Sequence, residues 1–83
     1  MRMNFDVEVR ITLKQGILDP EARAIQHALA DLGFPTSRLS TARIFSISLE
    51  AEDRAAAEEK GRQMCERLLA NPVIHRYEVE VRE

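Results

Sequence analysis

The sequence has no tryptophan, one cysteine, three glycines and three prolines, and its charges nearly cancel. Each shortage removes a class of protein. A lone thiol, Cys65, cannot close an intrachain disulfide, so this is no disulfide-stapled scaffold and a reducing compartment is expected. One Tyr and three Phe are the only aromatic residues, too few for a base-stacking surface. Twelve Lys and Arg against fourteen Asp and Glu leave a formal charge of −2, of the wrong sign for a phosphate-backbone binder. Dividing the chain reveals no basic patch: residues 1–43 carry six basic and five acidic groups, residues 44–83 six and nine. No window approaches the ~18 apolar residues of a membrane span, and Met1-Arg2-Met3-Asn4-Phe5-Asp6 lacks a signal-peptide core. The expectation is a cytoplasmic protein with neither a nucleic-acid nor a membrane partner.

The chemistry-bearing residues are as sparse. Nucleophilic catalysis needs a nucleophile, a base and an orienting group within reach of one another. Cys65 falls in a helical stripe beside Met64 and Leu68, where a thiol is a small core hydrophobe, and His27 and His75 fall in other elements. No His-x-x-His, Cys-x-x-Cys or His-Glu-x-x-His spacing offers a metal site. A phosphate cradle needs clustered glycines, whereas Gly16, Gly33 and Gly61 are isolated. Lys14-Gln15-Gly16 is an anion-site candidate, although a turn at a strand end accounts for it more simply. Catalytic, cofactor-binding and metal-ligating residues are therefore all expected to be absent from this chain.

What is present is strong periodicity. Phe5, Val7, Val9, Ile11 and Leu13 alternate with polar residues, the pattern of a strand buried on one face. Asp19-Pro20 supplies a helix N-cap and first residue, the stripe Ala22, Ile25, Leu29 and Leu32 follows at helical spacing, and Gly33 with Pro35 ends it. Phe45, Ile47 and Leu49 alternate as a second strand, with residues 38–43 either a short strand of their own or the start of this one. Asp53 caps a second helix with the core stripe Ala57, Gly61, Met64 and Leu68, widened by Cys65 and Leu69 and ended by Asn71-Pro72. Tyr77, Val79 and Val81 alternate in a last strand, and His75 shares their phase, placing it in the core or at a subunit contact.

This order predicts one α+β domain over residues 1–83. Its architecture is a single sheet of three long strands, with or without a fourth short one, carrying both helices on one face in a ferredoxin-like β-α-β(β)-α-β order. The other face is lined by Asp6, Glu8, Arg10, Ser46, Ser48, Glu78 and Glu80. Eighty-three residues bury only about 60–65% of the unfolded chain's surface, so oligomerisation is the default expectation. An edge strand with unpaired backbone groups offers one way to join subunits. On residues alone, the chain is a subunit or adaptor of a larger enzyme, or a dimeric regulatory domain that binds a small molecule.

Three stretches carry a resemblance. They are Val9-x-Ile11-x-Leu13-Lys14 running to Ile17-Leu18-Asp19-Pro20, then Ala28-Leu29-x-x-Leu32-Gly33-Phe34, and then Met64-Cys65-Glu66-x-Leu68-Leu69-Ala70-Asn71-Pro72-Val73-Ile74-x-x-Tyr77-Glu78-Val79-Glu80. In order and combination they resemble the PurS family, the small subunit of phosphoribosylformylglycinamidine (FGAM) synthase. The resemblance implies the step of de novo purine synthesis in which formylglycinamide ribonucleotide, ATP and glutamine give FGAM, glutamate, ADP and phosphate. It further implies that a PurL subunit binds ATP with magnesium and the substrate, that a PurQ glutaminase releases ammonia, and that a PurS homodimer bridges them and supports ammonia transfer without a cofactor of its own. Leu39-Ser40-Thr41-Ala42-Arg43 departs from the family's Val-Arg-x-Gly-Lys, keeping the basic end but losing the glycine, and alanine at 42 disfavours a left-handed turn. Partner contacts are expected from the polar strand faces and from Lys14, Arg38, Arg43, Arg76 and Tyr77.

Overall fold

A computed structural model describes residues 2–83; residue 1 of the expected domain lies outside the described residues. In chain order the elements are β1 (Met3–Leu13), α1 (Pro20–Asp31), β2 (Arg43–Ala51), α2 (Arg54–Met64) and β3 (His75–Arg82), with a π-helical turn at Cys65–Leu69 directly after α2. The strands form one antiparallel sheet in the order β2-β1-β3. The expected element order holds, and residues 38–42 form no strand; β2 begins at Arg43.

Period-2 alternation explains the central place of β1. Its register sets Val7 between Ile47 and Val81, and Val9 between Phe45 and Val79, so one face is continuous hydrocarbon. Phe5, Val7, Val9 and Ile11 are buried within it. The opposite face is polar as expected: Glu8 lies between Ser46 and Glu80, and Arg10 is opposite Glu78. Among the described residues the outer edges of β2 and β3 pair with no further strand.

Helix α2 covers the apolar face. Asp53 caps it by accepting from the Ala56 N–H at 2.8 Å. Ala57, Gly61 and Cys65, four residues apart, form the buried line. Gly61 is required for this close approach, because a Cβ there would lie 2.8 Å from Val79 Cγ1 and 3.1 Å from Val7 Cγ1. The predicted stripe is corrected beyond this point. The Ala70 N–H reaches back five residues to the Cys65 carbonyl at 2.9 Å, so the turn holds one residue more than an α turn. Ala70, rather than Leu68, falls beneath Cys65; Ala70 is buried and Leu68 is 84% exposed.

The placement of α1 is a second correction. Both helices were expected on one face of the sheet, yet the helix–sheet packing comes almost wholly from α2. Within α1 only Ala22 is buried. Ile25 is partly exposed, and Leu32 and Phe34, just beyond the helix, are 72% and 65% exposed. The molecule measures 55 × 25 × 16 Å with a radius of gyration of 16.5 Å, against about 12 Å for a compact chain of this length. A helix that packs little on the sheet accounts for that extension. Locally α1 is well formed: Asp19 accepts from the Ala22 N–H at 3.0 Å, and Gly33 at φ +96° turns the chain after the helix. No helix of the described residues is long and apolar enough to cross a membrane.

Candidate functional site

The ends of β1 and β3 meet two loops at one pole of the sheet. Gly16 at φ +87° turns the chain after β1, and the Ile17 N–H closes that turn on the Lys14 carbonyl. Lys14 binds the loop before β3 twice, its N–H donating to the Ile74 carbonyl at 2.8 Å and its Nζ to the Pro72 carbonyl at 2.6 Å. That loop is itself braced. The Asn71 side-chain oxygen accepts from the Val73 N–H, and the Asn71 N–H donates to His75 Nδ1. The Asn-Pro that ends the helix thus also fixes the loop that positions Lys14.

Across the pole, the Thr41 hydroxyl donates to Asp19 Oδ2 at 2.8 Å and pins the segment before β2 to the start of α1. Hydrogen bonds from the Ala22 N–H and the Thr41 hydroxyl hold the Asp19 carboxyl below its usual value. Between this staple and the end of β1 lies a cavity of about 600 Å³ whose wall includes Lys14, Arg38 and Arg76. The structure therefore brings together three of the five residues predicted as contacts. Arg43 lies on the other side of Asp19 and Thr41, in a concavity of about 450 Å³ shared with His75 and Leu69. Its guanidinium sits 5.9 Å from the centre of the Phe45 ring. Tyr77 is also apart from the cavity; its hydroxyl donates to Glu66 Oε1 at 3.1 Å, and burial, reinforced by Glu66, pushes the phenol above its ordinary value.

The sequence reading missed an apolar shelf. Phe45 and Ile47 of β2 face Met64, Leu68 and Leu69 across a shallow hollow of about 550 Å³, rimmed by Lys60, Gln63 and Arg67. Every apolar residue on it had been assigned to the core. The shelf runs along the free edge of β2, so apolar surface and unpaired backbone are exposed side by side.

These arrangements offer binding surfaces. Burial raises the Cys65 thiol above its ordinary value, the opposite of activation. The described residues contain no cluster of three or more His, Cys, Asp or Glu able to hold a metal ion. Arg62 pairs with Glu59 and Arg82 with Glu80, both at the surface.

Comparison with known proteins places this geometry. Residues 6–83 match the family model described as PurS: phosphoribosylformylglycinamidine (FGAM) synthase. The chain is 44% identical over 81 residues to phosphoribosylformylglycinamidine synthase subunit PurS of Methanothermobacter thermautotrophicus, covering 98% of this chain and 96% of that one. It superposes on the crystal structure of Methanocaldococcus jannaschii PurS, one of the subunits of formylglycinamide ribonucleotide amidotransferase in the purine biosynthetic pathway. There the TM-score is 0.86 and the identity 41%, over 95% of this chain and 96% of that one. It also superposes on a chain of the PurLQS structure from Thermotoga maritima, with TM-score 0.87 and 28% identity over 96% of this chain and 99% of that one.

Proposed function

Because this chain belongs to the PurS family of FGAM synthase subunits, we propose that it is the non-catalytic small subunit of that synthase in purine biosynthesis, joining a PurL synthetase to a PurQ glutaminase in the cytoplasm. The observation that carries the reading is the match over residues 6–83 together with the superposition on a chain of PurLQS. In this division of labour ATP, magnesium and glutamine are handled by the larger subunits, and this chain supports the passage of ammonia between them.

The working form is a homodimer. Three features favour it: the C-terminal end of α1 leaves Leu32 and the following Phe34 in solvent, the shelf beside β2 is uncovered, and among the described residues both outer strand edges are free. A two-fold pair that sets α1 of one copy on the shelf of the other covers both surfaces at once. The polar sheet face and the exposed Arg38–Arg43 segment then remain available to the larger subunits. Reconstitution tests the assignment. Glutamine-dependent FGAM formation by PurL and PurQ is expected to require this chain, whereas ammonia-dependent formation by PurL is not. Equal glutamine-dependent rates without the chain would overturn it.

A further inference from the structure

The dimer argument rests on α1, the shelf and the strand edges and makes no use of the cationic cavity at the pole of the sheet, although Arg38 of its wall belongs to the segment left to the larger subunits. Lys14 Nζ is fixed there by the Pro72 carbonyl and keeps two N–H donors free. Among the described residues neither Arg38 nor Arg76 has a carboxylate within ion-pair distance, and neither donates a hydrogen bond to the protein. The one acid in the wall, Asp19, already accepts through both oxygens, from the Ala22 N–H and the Thr41 hydroxyl. Three cations and one occupied carboxylate leave the wall at +2 in a chain whose formal charge is −2. The Gln15 and Gly16 backbone amides, also in the wall, have no acceptor among the described residues. The Lys14-Gln15-Gly16 sequence thus contributes a held ammonium and two free amides beside two unpaired guanidinium groups.

We propose that this cavity is a binding site for a phosphorylated small molecule, its phosphate held by Arg38 and Arg76 with Lys14. A phosphomonoester carries nearly two negative charges at neutral pH and three terminal oxygens, matching the net charge of the wall and offering one oxygen to each of its three cations. A carboxylate, with one charge and two oxygens, leaves a cation unpaired. The volume of about 600 Å³ exceeds what a phosphate fills and lies within the range of metabolite sites, leaving room for an attached sugar. A nucleic-acid strand fits less well, since the wall holds no aromatic ring for stacking and the rest of the chain is acidic. The Asp19 carboxylate and the Thr41 hydroxyl of the wall are committed to each other, so the proposed role of the site is to hold the molecule and not to transform it.

The test is an amide-shift titration of the ¹⁵N-labelled full chain with inorganic phosphate, ribose 5-phosphate or glutamate, at ionic strength held constant with sodium chloride. Both phosphates are expected to give saturable shifts at Gln15, Gly16 and Arg76. Arg38→Gln and Arg76→Gln, which break no bond within the protein, are each expected to weaken binding roughly tenfold or more and leave the remaining spectrum unchanged. Tighter binding of ribose 5-phosphate than of phosphate assigns the site to a sugar phosphate, and equal binding assigns it to the phosphate group alone. Shifts that do not saturate, that survive both substitutions, or that glutamate reproduces at the same concentration would overturn the proposal. The titration contains neither PurL nor PurQ, so its outcome is separate from that of the reconstitution.

Discussion

Truncating Leu32 to alanine measures whether a second copy covers α1. Leu32 is the C-cap residue of α1 and 72% exposed, so its side chain contributes little to the single-chain fold. Burying a leucine completely is worth about 1.5–3 kcal/mol. Scaled to the exposed fraction and counted once in each copy, Leu32→Ala should cost a two-fold dimer about 2–4 kcal/mol, weakening it roughly 30- to 1,000-fold. Sedimentation equilibrium over a range of concentrations gives the dissociation constant, and far-ultraviolet circular dichroism at the same concentrations reports the fold. If α1 packs on the partner's shelf, Leu68→Ala should also weaken the dimer, and the double substitution should deviate from additivity by about 0.5 kcal/mol or more. A dimer constant for Leu32→Ala within twofold of the parent would refute helix exchange. Loss of the fold would refute the claim that this side chain is idle in the single chain.

Two further outcomes follow from the packing and the pole. Gly61→Ala gains about 1 kcal/mol of helix propensity, but its Cβ would meet Val79 and Val7, and overpacking costs about 1–3 kcal/mol. Urea unfolding at fixed protein concentration should show a net loss of up to about 2 kcal/mol, relieved by Val79→Ala; a net gain would contradict the close approach. Asp19 has a folded pKa below its ordinary value of 3.8, so its contribution to stability is fully present above 3.8 and is lost as pH falls through the lower folded value. Stability measured from about pH 5 down to 2 should therefore fall less steeply for Asp19→Asn, which keeps a capping oxygen but cannot titrate; identical slopes would remove Asp19 from the account.

The three strands, both helix caps and the polar sheet face were legible because each depends on neighbours in sequence. Alternation at β1 admits one buried face, and Asp19-Pro20 and Asp53 carry their capping chemistry within three residues. The polar cavity was legible only in fragments. Lys14, Arg38 and Arg76 were each singled out, yet nothing in their spacing reveals that the Thr41–Asp19 bond and the Lys14–Pro72 bond draw three separate segments to one wall. The shelf was hidden by the π turn. Helical periodicity assigns Met64, Leu68 and Leu69 to the stripe, and one additional residue in the turn substitutes Ala70 for Leu68 beneath Cys65.

Helix α1 marks a sharper boundary of what one sequence can specify. Its stripe of Ala22, Ile25, Leu29 and Leu32 has the same spacing whether it rests on its own sheet or on another chain's, because periodicity states that a face needs cover and says nothing about the source. Chain length supplies the missing constraint. Eighty-three residues build one sheet and, in α2, one helix to cover part of it, leaving a second helix and a second stretch of sheet without partners. The two uncovered surfaces are of the same chemistry and occur once per chain, so a two-fold pair satisfies both with no additional sequence. The extended shape of the single chain fits the proposed role, half of a connector whose apolar surfaces would meet a copy of themselves and whose polar surfaces would be left for larger subunits.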